Sequence, residues 1–162
     1  MSDRHPTKAW SPADIDRMLE LLPILEDPAY VAATWPVLEP KVVDGVKVFQ
    51  LPYPIYAPEI DRFWKLCYGT TCFTLPYEVL PEDPPGLEPG TGTLEVLNSV
   101  RAMETATLAQ LRRYFVLCTR AERFCDGYVA GQIESGILIA ALRRLRDLRE
   151  ASRRPRRDRR RP

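Results

Sequence analysis

The spacing of apolar residues changes twice along this chain. Ile15, Met18, Leu19, Leu22 and Leu25 recur at three- and four-residue steps, which predicts an amphipathic helix. Ser11 suits its N-cap, Pro12 its first helical position and Asp14 its first turn. Pro23 has no N–H to donate and should kink or end the helix near Leu22. From Val42 the pattern becomes strand-like: Val42-Val43-Asp44-Gly45-Val46-Lys47-Val48-Phe49 reads as a hairpin, because Asp-Gly tolerates the positive φ of a tight turn. Pro40, Pro52 and Pro54 bound the pair and keep it short or at a sheet edge.

Helical spacing returns at Ala57-Pro58-Glu59, with Ile60, Phe63, Trp64, Cys67 and Tyr68 on one face and Gly69 as the stop. Cys72–Leu75 is a candidate third strand that could join the hairpin, and 76–92, rich in Pro and Gly, reads as an irregular loop. Fourteen of the 16 prolines lie before residue 90 and none between 90 and 154, so the second half is free to be helical. Two helices are expected there. One runs from about Leu94 or Thr105 to Thr119, with Leu108, Leu111, Phe115 and Cys118 inward. The other runs from about Asp126 to Ala151, with Ile133, Ile137, Ala141, Leu145 and Leu148 inward. The predicted fold is α+β: a small antiparallel sheet (the hairpin near 42–51) packed with about four helices, the last two long.

A chain of 162 residues fits one domain, expected over 11–151, between a disordered N-terminus (1–10) and a disordered tail (152–162). With 45% hydrophobic residues, full disorder is excluded. No apolar run approaches the ~20 residues of a membrane span, and no signal peptide is apparent, so a cytoplasmic protein without membrane contact is expected. There the four Cys should be reduced; they lack Cys-x-x-Cys spacing and read as buried apolar residues, not metal ligands. Charge is lopsided: residues 1–142 carry a net of −7 and 143–162 a net of +8.

The densest chemistry is Arg120-Ala121-Glu122-Arg123-Phe124-Cys125-Asp126-Gly127, at the expected helix junction. Arg120 and Arg123 could grip an anion in bidentate forks, with Glu122 and Asp126 orienting them. The competing reading is an ion-pair cluster that fixes the turn, with Asp126 as N-cap. Gly127, Gly131, Ser135 and Gly136 follow; glycine in a helix costs ~1 kcal/mol, so something should approach this face closely, whether a neighbouring element, a ligand or a second subunit. Glu134 is a carboxylate on that face without a His or Lys to partner it as a general base. The tail places Arg153, Arg154, Arg156, Arg157, Arg159, Arg160 and Arg161 within ten residues, suited to non-specific contact with nucleic acid or another polyanion. Arginine is also favoured by a GC-rich genome: the chain has 19 Arg against four Lys. No phosphate loop, nucleophile elbow, metal-spaced ligand set or cofactor motif is present, so no catalytic residue is assigned and an enzyme is disfavoured.

The 120–127 motif, followed by Glu134-Ser135-Gly136 and Leu142-Arg143-Arg144-Leu145, resembles a bacterial family, domain-of-unknown-function family 6508. Ile15-Asp16-Arg17-Met18-Leu19, the Glu26-Asp27-Pro28 turn, Tyr53-Pro54-Ile55-Tyr56 and Glu59–Phe63 extend the resemblance over most of 13–148. It implies a small α+β protein and transfers no catalytic residue. Three functions fit the sequence: a non-enzymatic accessory or binding protein with a polyanion-contacting tail; a small-molecule binder or enzyme using the Arg120–Asp126 cluster with Glu134; and a homodimer through the small-residue face.

Overall fold

The chain's computed structural model describes residues 10–70 and 97–154, the side chains of 68–70 excepted. The expected strand at Cys72–Leu75, the loop at 76–92 and the tail beyond Arg154 lie outside the described residues. Within them, Ser11 caps α1 (Pro12–Leu19) in a reciprocal capping box with Asp14. The helix stops at Leu19, and Pro23 sits in the first turn of a separate short helix, α2 (Leu22–Leu25), where its missing N–H costs nothing. Trp10, expected in the disordered N-terminus, is instead buried and stacks on Phe115 at a ring separation of 5.5 Å.

Four short strands follow: β1 (Ala33–Thr34), β2 (Lys41–Val43), β3 (Val46–Val48) and β4 (Ile55–Tyr56). They form two antiparallel ladders, β1 with β4 and β2 with β3. The second is the expected hairpin. Asp44 and Gly45 at φ 51° and 79° make the turn, and Lys41, Val42 and Val43 face Val48, Lys47 and Val46. All six strand residues are exposed, so the helices do not cover this hairpin.

Helix α3 (Pro58–Thr70) buries Ile60, Phe63 and Cys67 as expected, leaves Trp64 partly buried, and runs through Gly69. The first long helix of the second half begins near the later of its two expected starts, Thr105, and the second is divided. Ala106 leaves the helical region at ψ 141°, and Thr107 caps a new helix in a box with Gln110, separating α4 (Val100–Thr105) from α5 (Leu108–Ala121). Gly136, at φ +76°, separates α6 (Tyr128–Glu134) from α7 (Ile137–Arg153). Leu108, expected inward, is exposed; Leu111, Phe115 and Cys118 are fully buried.

Helix α7 is the centre of the core. It buries Leu138, Ala141, Leu142 and Leu145 and packs against α1, α2, α4, α5 and α6. Polar ties hold its outer side: Asp16 takes a two-pronged bond from Arg149 at 2.9 Å and one from Arg153, and Glu26 takes Arg143. Arg153, expected in the disordered tail, thus ends α7 and is ion-paired; Arg154 is its C-cap. The architecture is α+β, with seven helices and two small ladders among the described residues.

Candidate functional site

The 120–127 motif forms the corner between α5 and α6. Glu122 caps the end of α5, and tight backbone bonds from Arg123, Phe124 and Cys125 back to Arg120 and Ala121 turn the chain. Gly127 then begins α6 in the left-handed region at φ +84°. As N-cap it has no side chain to accept the helix's first N–H groups.

Glu122 supplies the missing acceptor from five residues upstream. Its Oε2 accepts the Val129 N–H at 2.7 Å, and its Oε1 accepts the Gly127 N–H at 2.6 Å and the Tyr56 hydroxyl. A buried carboxylate is thereby satisfied and lies at the positive end of a helix. Tyr56 comes from β4 and packs edge-on to Trp64, its ring 4.9 Å away. Burial, then the Glu122 carboxylate, pushes its hydroxyl pKa well above the ordinary tyrosine range, so it stays protonated. From the end of β1, Trp35 lies over Gly127, where a Cβ would meet its ring at 2.7 Å. The β1–β4 ladder therefore carries two aromatic residues onto the corner.

The five candidate site residues differ in exposure. Glu122 is buried inside the corner, and Asp126 is exposed and is not the N-cap, a position Gly127 takes. Arg120 is half-buried and Arg123 exposed, and neither is without a partner. Glu134 is exposed at the far end of α6, about 10 Å of helix away. The small-residue stripe also divides: Trp35 approaches Gly127, Gly136 serves the break before α7, and a Cβ on Gly131 would meet nothing within 4 Å. Ser135 is exposed and only caps the end of α6.

Elsewhere, Cys67 and Cys118 are buried. Burial pushes the Cys118 thiol up to about 12 and Cys67 well above its usual value, which keeps both protonated and poorly nucleophilic. Tyr114, also buried, donates to Gln132 Oε1 at 2.8 Å. An apolar groove of about 130 Å³ lies between Trp10, Ile15, Leu108, Leu145 and Leu148, with Arg149 beside it held by Asp16. It is small beside the ~300–1,000 Å³ of typical ligand sites. Among the described residues no group of three or more His, Cys, Asp or Glu could hold a metal, and no helix is long and apolar enough to cross a membrane.

Trp35 and Tyr56 were not among the sequence candidates for this corner. They lie far from 120–127 in the chain, and no local pattern links them to it. No curated protein and no solved structure matches the chain. A match to the family of unknown function DUF6508 covers residues 89–151, narrower than the span the resemblance suggested, and includes the whole corner and nearly all of α7. The C-terminal helical part of this chain, with its Arg-x-Glu-Arg-Phe-Cys-Asp-Gly corner, is thus similar to DUF6508.

Proposed function

We propose that this is a non-enzymatic accessory protein that binds another protein through the aromatic face of the 120–127 corner. The observation that carries the reading is Phe124, 91% exposed at the tip of a corner that Glu122 fixes from inside. Half-exposed Trp35 stands on the same corner, and Arg120 and Arg123 flank Phe124. Aromatic residues and arginine dominate binding hot spots, and a rigid support lowers the entropy lost on binding. The engagement of Glu122 by the fold weighs against an anion pocket or an enzyme built on this cluster, as do the protonated, buried thiols of Cys67 and Cys118.

Site-specific photocrosslinking tests this. With Phe124 replaced by benzoylphenylalanine in the intact chain in cells, a discrete heavier adduct is expected, weakened by Trp35→Ala. A chain that folds normally yet gives no adduct from position 124 contradicts the reading.

A second reading is that the basic end contacts polyanions, supported by five further arginines beyond Arg154. Loss of Arg153 to the Asp16 ion pair weakens it. Gel shifts comparing the full chain with one ending at Arg154 decide: no tail-dependent shift at ~50 mM salt, where such contacts are strongest, removes it.

A further inference from the structure

We infer that the β2–β3 hairpin is a self-association edge, and that a second copy of this chain docks on it to form a four-stranded antiparallel sheet. A lone two-stranded hairpin is marginally stable in water and needs further strands or a helix against it. This one has an ordered turn and full register, yet all six strand residues are exposed. The flanking chain has the same character: Val37 is 93% exposed, Phe49 74% and Leu51 89%.

The hairpin and its flanks expose many apolar side chains. Eight large apolar side chains from Val37 to Tyr53 are each at least 42% exposed. A stable interface covers about 800 Å² per partner, whereas the largest apolar patch of an ordinary monomer is roughly 300–600 Å². Charge favours a second copy over a charged partner. From 35 to 53 the only charged residues are Glu39, Lys41, Asp44 and Lys47, which balance, so this segment of two copies meets without net repulsion.

The chain also selects the edge. Pro40 directly precedes β2 and blocks its extension, whereas Val46–Leu51 contains no proline. β3 is therefore the strand able to add a neighbour. A two-fold axis at Lys47 would set two ammonium groups opposite each other. An axis one residue on sets Val48 opposite Val48 of the second copy and Lys47 opposite Phe49, which removes that repulsion and buries apolar surface.

Sedimentation of the full chain from low micromolar to near-millimolar concentration is the test. The inference predicts conversion from 18.6 kDa to twice that mass, with Val46–Leu51 amides gaining hydrogen-exchange protection as the dimer forms. Val48→Lys, which opposes two ammonium groups, and the double change Phe49→Ser with Leu51→Ser should each abolish the dimer. Both alter only exposed side chains, so dilute-solution melting temperature should hold; Val48→Ile should keep the dimer. A chain that stays at 18.6 kDa throughout overturns the inference, as does a dimer that survives both disruptive variants or forms without protecting Val46–Leu51. The Phe124 face is a different surface, so crosslinking from position 124 can succeed or fail independently.

Discussion

The two ladders of this protein are used in opposite ways. β1–β4 is only two residues long on each side, yet it delivers Tyr56 to the buried carboxylate of Glu122 and Trp35 to the face of Gly127. The hairpin has a better turn and a longer register, and none of its strand residues is buried. Strand length and turn quality therefore say little about what a ladder contributes. What matters is whether its side chains complete something elsewhere, and here the shorter ladder completes the start of a helix.

The largest expected effect comes from cutting the connection at its centre. Glu122→Ala leaves the Gly127 and Val129 N–H groups and the Tyr56 hydroxyl without their acceptor and should lower stability by ~3 kcal/mol in urea denaturation. Gly127→Ala should cost ~2 kcal/mol, because a left-handed φ penalises any Cβ and this one would also displace the Trp35 ring. Tyr56→Phe removes one hydroxyl from the same set and should cost ~1 kcal/mol. On the other ladder, Val42→Thr or Val46→Thr in dilute solution should change stability by no more than ~0.5 kcal/mol, since both side chains are mostly exposed. A loss above ~1 kcal/mol at either valine would erase the contrast between the ladders.

The smallest effect concerns the tie between α1 and α7. The hydrogen bond and charge of Arg149 hold the Asp16 carboxyl below its ordinary pKa, with Arg153 adding to it. A depressed carboxylate stabilises the fold above its unfolded pKa, and that contribution is lost as pH falls through the lower folded value. Acid titration of wild type and Asp16→Asn should therefore converge at low pH and separate slightly above it.

The features legible from sequence were those whose partners lie within a few residues. Ser11 with Asp14 marked α1, and Asp44-Gly45 marked the hairpin. The start of α5 near Thr105 was one of two the sequence allowed, and the Thr107-x-x-Gln110 capping box is the local sign that selects it. Gly136 suggests close packing as readily as a helix break, because glycine serves both purposes and sequence does not give φ. From sequence, the corner suggests either an ion-pair cluster or an anion site. Its organising contact instead joins Glu122 to a tyrosine 66 positions away in the chain, and hydrophobic periodicity carries no trace of that. The hairpin's register was readable from its turn, but its lack of cover was not, since exposure depends on where the helices go.

A double-mutant cycle between Tyr56→Phe and Glu122→Gln, read by urea denaturation of the purified chain, tests most directly that this corner is a structural junction assembled across the fold. The account predicts a coupling of about 1 kcal/mol or more, because the two side chains share one hydrogen-bonded set with the Gly127 N–H. Effects that simply add to within ~0.3 kcal/mol would contradict it and return Glu122 to the pool of residues free to meet a ligand.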